Sequence, residues 1–333
     1  MSASGETYGV VSCMKDEGQF VLEWIAYHKV IGFDGIVIAT NDCTDGSDAL
    51  LARLAERGEI THLDHSVKPG LPPQVEGLRK ICERGLLAPF DWVLHIDADE
   101  FLEVTCGEGR VGDLVAAVDP CDVIAIHWQM MGDNGLTTWH GGSVLQAFTR
   151  GQPHPVPRIS FHKSLFRPGR FRRLRDHMPK DPVSEEVIVR TTANEPVSPG
   201  ALFTWERNRF NVGADLLTWD NARIRHYAVK SRDVMLMKNR RGRGLVDQSA
   251  KYTVNSRFHR SHNWNTMEDR SILRFWAAVE AELARLRSDP ETDRLHRHCV
   301  DWFAQRRDET LTPEQIAAWT VEHAPRRRRR RQR

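Results

Sequence analysis

Residues Asp91–Val104 read DWVLHIDADEFLEV. Trp92, Val93, Leu94 and Ile96 are strand formers in a short apolar run, the pattern of a buried strand. Three carboxylates follow almost together: Asp97, Asp99 and Glu100. Burying carboxylates is costly unless cations or donors meet them, so acids that end an apolar strand imply a site. Upstream, the same strand-then-polar pattern recurs. YGVVSCM (Tyr8–Met14) predicts a strand that runs into Lys15, Asp16 and Glu17. DGIVIAT (Asp34–Thr40) predicts a second, followed by the turn-rich NDCTDGS. EITHLDH predicts a third. Between them lie helical patterns. One is EGQFVLEWIAYHKVIG, with Phe20, Trp24, Tyr27, Val30 and Ile31 at helical spacing and Gly32 as its stop. Another is SDALLARLAERG, capped by Ser47 or Asp48 and closed by Gly58. The third is PPQVEGLRKICERG, with proline near its start. Repeated β-α units predict an α/β fold with a mostly parallel central sheet and flanking helices. In such sheets ligands bind beyond the carboxyl ends of the strands, where three of these four strands carry polar groups.

The 333 residues are 40% hydrophobic, enough for a sizeable core. The net charge of +2 includes six consecutive arginines, Arg326–Arg331, and the remainder is slightly acidic. Basicity therefore gives the main body no nucleic-acid signature, and no nucleic-acid partner is expected. Cys13, Cys43, Cys82, Cys106, Cys121 and Cys299 are scattered without a C-x-x-C pair, which argues against a zinc ribbon. No signal-like N-terminal segment or apolar run of spanning length is present, so a reducing cytoplasmic location is expected. Beyond the D-x-D, DVIAIHWQMMG (Asp122–Gly132) predicts another strand. The stretch from about 150 to 220 is irregular. ARIRHYAVKS (Ala222–Ser231) returns to strand character, DVMLMKNRRGRG to helix, and the chain from Met267 onward is helical and amphipathic.

In extended backbone the side chains of Asp97 and Asp99 lie on one side and reach a common cation. Mg²⁺ and Mn²⁺ prefer oxygen ligands and often keep water and substrate phosphates in their shells. A D-x-D alone is weak, since a solvated loop gives the same tripeptide. The order CMKDE, NDCTDGSDALL, DWVLHIDADEFL is far more specific. It resembles family 2-like glycosyltransferases of the GT-A fold, in the bacterial branch where KDE…W…YH…G precedes DWVLHIDADEF. The resemblance spans residues 8–104 and continues with gaps through HKSLFRP, DH and IRHYAVKS…MKNRRGRG to about residue 244.

That resemblance implies a GT-A domain over 1–245, its nucleotide-sugar half about 1–104 and its acceptor half about 105–245. A C-terminal helical region over 246–324 and a disordered arginine-rich tail over 325–333 follow. It implies a nucleotide-diphosphate sugar donor, UDP-linked by preference, and Mn²⁺ or Mg²⁺ as cofactor. The implied acceptor is a carbohydrate or other hydroxyl, with cell-surface polysaccharide synthesis as the expected setting and inversion at the transferred carbon. Asp97 becomes the ribose and metal residue, and Asp99 the more direct metal ligand. Glu17, Asn41, Asp42 and Asp45, with Gly46, fall near the nucleotide, although Cys43 and Ser47 depart from the family turn. GT-A enzymes commonly take a further metal ligand from a C-terminal histidine. Among fifteen histidines His226 in RHY is the first candidate and His177 in DHMP the second. Lys238, Arg241 and Arg243 face the leaving diphosphate, and Lys163 approaches diphosphate or acceptor. Asp133 and Asp176 are the alternative catalytic bases. Trp128, Trp139 and Trp264 are sugar-stacking or core residues.

Each assignment has an ordinary counterpart: an Asx turn at Asp42, a solvated helix end at Lys238, a packed histidine at His226. Two rival functions share the sheet. A nucleotidyltransferase needs a glycine-rich basic loop after the first strand, whereas CMKDEGQF has one glycine and two acids. A non-catalytic GT-A-like binding protein is disfavoured by the intact D-x-D, HY and basic turn. The arginine run reads as a solvated tail, or as a peripheral contact with anionic membrane.

Overall fold

The chain, seen in a computed structural model, is described over residues 5–67, 70–118, 120–157, 159–198, 213–241 and 251–321. The side chain of Arg241, residue Arg243 and the run Arg326–Arg331 lie outside the described residues.

The apolar runs become the centre of the sheet. Strands β1 (Tyr8–Met14), β2 (Gly35–Thr40), β3 (Thr61–Asp64) and β4 (Trp92–His95) alternate with helices α1 (Gly18–Val30), α2 (Ser47–Glu56) and α3 (Pro73–Glu83). β1 pairs in parallel with β2 and β4, and β2 with β3. Next come β5 (Glu100–Val104), α4 (Val111–Val118), β6 (Val123–Met130), α5 (Val144–Ala147), β7 (Arg150–Gly151) and β8 (His162–Phe166). β8 runs antiparallel between β4 and β6. A hairpin of β9 (Phe171–Leu174) and β10 (Pro179–Pro182) follows, then β11 (Val189–Thr191), β12 (Pro196–Val197), β13 (Ala222–His226) and α6 (Arg232–Arg241). β11 and β13 both join β6 in parallel, while β13 also pairs antiparallel with β5. The expected mixed α/β architecture, a mostly parallel central sheet flanked by helices, is therefore present.

α1 departs from its expected one-sided pattern. Every residue from Gly18 to His28 is buried. A helix covered all round needs a second layer over its outer face. The C-terminal segment holds α7 (Arg257–His262), β14 (Met267–Glu268), α8 (Trp276–Arg287), α9 (Pro290–Thr310) and α10 (Pro313–Ala318), and α8 and α9 supply that layer. Phe20 of α1 packs 6.4 Å from Phe303 of α9. At Gly18 a Cβ would stand 2.4 Å from Cys299 Sγ, so α9 lies against the bare backbone of α1.

Two local expectations are corrected. Neither Ser47 nor Asp48 caps α2. The N-cap is Gly46 at φ +86°, and the Ser47 N–H is taken by Asp45 Oδ1 at 2.9 Å. Met267–Glu268 is not helical but a short strand on β7, and α8 starts only at Trp276. The delay has an electrostatic cause. Arg223 and Arg225 of β13 hold Asp269 at 2.8 Å each, and Arg225 holds Ser271 Oγ at 2.7 Å, which pins the turn between β14 and the 3₁₀ helix Ser271–Phe275 to β13.

Candidate functional site

The carboxyl ends of β1, β2, β4, β6 and β13 share one sheet edge, because β4 and β6 are both antiparallel to β8 and β13 is parallel to β6. β8 runs the other way and brings its first residues, His162 and Lys163, to that same edge. A cleft of ≈ 560 Å³ opens there. Its lining includes Glu17, Asn41, Asp42, Gln74, Asp97, Asp99, Asp176, His177, His226 and Lys238.

The D-x-D does not continue the strand. β4 ends at His95, and the Glu100 N–H reaches back to the Asp97 carbonyl at 3.0 Å, so Asp97–Glu100 is a tight turn. The expected extended geometry is replaced, and the two aspartates meet different partners. The turn is fixed from behind by α1. Trp24 Nε1 donates to the Glu100 carbonyl at 2.9 Å and the Tyr27 hydroxyl to that of Leu102 at 2.8 Å. Phe101 packs on Tyr27, His28 and Tyr227.

At the Asp97 end a single lysine meets three acids. Lys163, fully buried, has its Nζ 3.0 Å from Asp97 Oδ2, 3.0 Å from Asp176 Oδ1 and 3.5 Å from Glu100 Oε2. Gln74 Nε2 donates to Asp97 Oδ1 at 3.0 Å and to Asp176 Oδ1 at 3.1 Å. Burial opposes the charge on Lys163, but Asp176, Asp97 and Glu100 together hold its pKa well above the ordinary lysine value. Burial pushes the Glu100 carboxyl well up. Burial would also raise Asp176, but Lys163, then His177 and His95, hold it below the usual carboxylate range. A carboxylate held down in this way is a poor proton acceptor.

The Asp99 end is built by register. β13 pairs with β5 so that His226 lies opposite Glu100, and the Tyr227 N–H donates to the Asp99 carbonyl at 2.8 Å. His226 Nε2 comes 3.6 Å from Asp99 Oδ1. Lys238 of α6 donates to Asp99 Oδ2 at 2.6 Å and to the Ala228 carbonyl at 2.8 Å. Burial would raise the Asp99 carboxyl, but Lys238 and then His226 hold it well below the usual range. A second buried lysine, Lys230 at φ +53°, sits with Nζ 4.6 Å above the Phe20 ring, and burial lowers its pKa to about 7. The Trp128 indole stands 4.3 Å from the His226 ring and 5.2 Å from His177, lining the cleft between them.

The remaining expected residues divide. Glu17, Asn41 and Asp42 line the cleft, with Asp42 in left-handed backbone at φ +46° and hydrogen-bonded by Asn41 Nδ2 at 3.0 Å. Asp45 does not line it. Its carboxylate is fully buried and accepts the N–H groups of Gly18 and Ser47, tying the starts of α1 and α2 together. Asp133 is likewise removed from the role of base. Oδ1 accepts from Gly135 N–H and Asn265 Nδ2, and Oδ2 from Asn263 Nδ2, within 2.9 Å, and the residue is outside the cleft lining. Trp139 packs between Phe20 and Phe303 as core. Trp264 packs against the core, its Nε1 donating to the Ser261 carbonyl. The sequence reading missed Gln74, which α3 projects into the cleft, and Lys251, Tyr252, Phe258 and His262, which form a wall of it. The proline start of α3 was the available signal for Gln74.

Two donors in the cleft suit a divalent ion. Asp99 Oδ1 and His226 Nε2 converge on the cleft as a hard oxygen and an imidazole nitrogen, a set that suits Mn²⁺. Both oxygens of Asp97 are taken, by Gln74 and Lys163. Among the described residues, Asp16, Cys43 and Asp45 also bring ligand atoms within 4.8 Å of one another. There the carboxylates already accept N–H groups of Thr44, Gly18 and Ser47, so this cluster fixes turns.

No family model matches the chain. A glycosyltransferase family 92 protein of Ricinus communis is 28% identical over 100 residues, 29% of this chain and 17% of that protein. The match thus spans under a fifth of the curated relative. Among solved structures, Staphylococcus aureus TarS in complex with UDP is 16% identical, with a TM-score of 0.30 over 48% of this chain and 46% of that one. Glucosyl-3-phosphoglycerate synthase from Mycobacterium tuberculosis, in complex with Mn²⁺, UDP and glucosyl-3-phosphoglycerate, is 17% identical, with a TM-score of 0.25 over 38% and 45%. Among the described residues no helix is long and apolar enough to cross a membrane.

Proposed function

We propose that this protein is a glycosyltransferase that moves a sugar from a nucleotide-diphosphate donor, UDP-linked by preference, to an acceptor hydroxyl, with a carbohydrate as the favoured acceptor. The observation that carries this reading is the pairing of Asp99 with His226 and Lys238 at the sheet edge where Asn41, Asp42 and Gln74 also lie. Asn41 and Asp42 supply amide and carboxylate groups suited to a base or ribose. Asp97, oriented by Lys163 and Gln74, presents a fixed carboxylate edge to the ribose hydroxyls. Asp99 and His226 would hold Mn²⁺ or Mg²⁺, which stabilises charge on a departing diphosphate. Lys238 adds a fixed positive charge beside them and needs no reorganisation as that charge develops. The cleft is the seat of the whole reaction in this reading, inversion is the expected outcome, and the cytoplasm is the expected compartment.

The test is a screen of UDP-, GDP- and dTDP-sugars for hydrolysis, with Mn²⁺ and then with EDTA. Release of nucleoside diphosphate from one donor class, lost on chelation, is expected. No release from any donor, and no calorimetric binding of UDP or GDP, would refute the reading.

A further inference from the structure

One wall of the cleft consists of aromatic side chains with no place in the donor chemistry. Tyr252, Phe258 and His262 line it, half-buried. The Phe258 and His262 rings stack at 4.2 Å with 20° between their planes, and Tyr252 meets Phe258 edge-on at 4.9 Å. The exposed Lys251 holds its Nζ 5.1 Å from the Tyr252 ring and 4.9 Å from that of Phe258. The His262 ring lies 6.0 Å from His226, so the wall adjoins the Asp99 end.

The wall is rigidly mounted. Asn239 of α6 clamps Tyr252, donating to its carbonyl at 2.8 Å and accepting its N–H at 3.0 Å. Val229, Met235 and Leu236 form a small core behind it, to which Val254, Ile316 and Trp319 add. Beyond His262, Asp133 accepts the amides of Asn263 and Asn265, while the Asp133 and Asn134 N–H groups donate back to Asn263 Oδ1 at 2.9 Å and Asn265 Oδ1 at 2.8 Å. Such reciprocal bonding fixes a backbone far better than a single contact.

Half-exposed rings on a fixed mount, facing a cleft of charges, suit a ligand with one apolar face and a polar edge. A pyranose ring has that form: its C–H face would lie on the aromatic surface and its hydroxyls would meet Lys251 and His262. A nucleobase would also stack, but the amide and carboxylate groups suited to a base, Asn41 and Asp42, belong to the β2 end of the cleft. We propose that Tyr252, Phe258 and His262 form a platform for a pyranose ring at the Asp99 end of the cleft. The proposal rests on the glycosyltransferase reading for its placement. The ring is that of the donor or of the acceptor, and the two arms of the test separate them.

The full chain, with Phe258→Leu and His262→Ala variants, is titrated calorimetrically with UDP and with UDP-, GDP- and dTDP-hexoses in Mn²⁺. Saturation-transfer NMR is then run with methyl glycosides of glucose, galactose, mannose and glucuronic acid, with and without UDP. Phe258→Leu keeps the bulk of the wall, and unfolding temperatures check that both variants fold. If the platform holds the donor sugar, the variants weaken a nucleotide-sugar by about three- to ten-fold and leave UDP unchanged. If it holds the acceptor, the wild type saturates the C–H protons of a glycoside and the variants lose that signal. A wild type that saturates no glycoside and gains no affinity from any donor sugar overturns the platform, as do folded variants that change neither measurement. UDP binding retained in that case leaves the glycosyltransferase reading standing. Glycoside saturation without any nucleotide binding would do the reverse.

Discussion

The two aspartates of the D-x-D are two residues apart and sit in opposite electrostatic settings. At the Asp97 end, one fully buried ammonium serves Asp97, Asp176 and Glu100. At the Asp99 end, one carboxylate is served by Lys238 and His226, with Lys230 buried nearby. The first cluster, the closed end, is tied together: Lys163 and Gln74 donate to Asp97 and Asp176, and it behaves as a structural strut that fixes a carboxylate edge. The second is open, because Asp99 Oδ1 and His226 Nε2 meet at 3.6 Å where both line the cleft. In the proposed reading, binding chemistry falls to the open end and positioning to the closed one.

Breaking the strut should have the largest effect. Lys163→Met leaves three carboxyl groups around a vanished cation, and removing one partner of a buried ion pair costs about 3–5 kcal/mol. Denaturant unfolding should reveal that loss, and adding Glu100→Gln should recover part of it. A Lys163→Met protein as stable as wild type would mean the cluster is solvated after all.

Asp99→Ala shifts the loss toward activity. Lys238 keeps only its bond to the Ala228 carbonyl, so some stability is lost, less than for Lys163→Met with its three acids, while turnover should fall by roughly 100-fold or more, about 2.7 kcal/mol of barrier. Turnover within about ten-fold of wild type would place the open end elsewhere. His226→Ala should act more gently. It should raise the Mn²⁺ concentration needed for half-maximal activity, whereas His177→Ala, at the closed end, should not. An equal shift from both would erase the distinction between the ends.

The closed end also predicts a pH signature. Burial first, and Lys163 second, lower the His177 pKa to about 4. The unfolded chain therefore takes up a proton near pH 6.5 that the folded chain refuses until about pH 4. This contribution is complete above pH 6.5 and is lost as pH falls from there to about 4. His177→Gln should flatten the fall of unfolding free energy across that window by up to about 3 kcal/mol. The smallest effect is expected at Asp133. Asp133→Ala removes acceptors from Asn263, Asn265 and Gly135, and should lower stability by about 1–2 kcal/mol. Donor hydrolysis should be unchanged, a result that a catalytic base would not give.

The legible part of this protein was the part whose neighbours in space are neighbours in sequence. β1, β2 and β4 are buried on both faces, and their unbroken apolar runs gave both their type and their ends. The acids after β4 were conspicuous because charge is rare beside such runs. Their partners were not deducible from local pattern, because Lys163 comes from the reversed strand β8 and Lys238 from a helix 139 residues along the chain from Asp99. The resemblance named both lysines, but not the division of labour between them. Asp133 looked free in MMGDNG, since nothing local announces Asn263 and Asn265 as its partners. The 251–262 wall mixes polar and aromatic residues without a period, because it is held by clamps and not by an amphipathic face.

The burial of α1 on every side has a consequence for how the chain is made. Its outer face meets Cys299 and Phe303 of α9, so the cover of this helix is synthesised long after the helix itself. A ribosome that has finished the D-x-D strand has produced a sheet whose leading helix still shows apolar surface to solvent. Contacts between such distant segments form slowly, and exposed surface of this kind attracts chaperones and other nascent chains. Yield of native protein should therefore depend on the speed and temperature of translation more than the regular N-terminal strands alone would require.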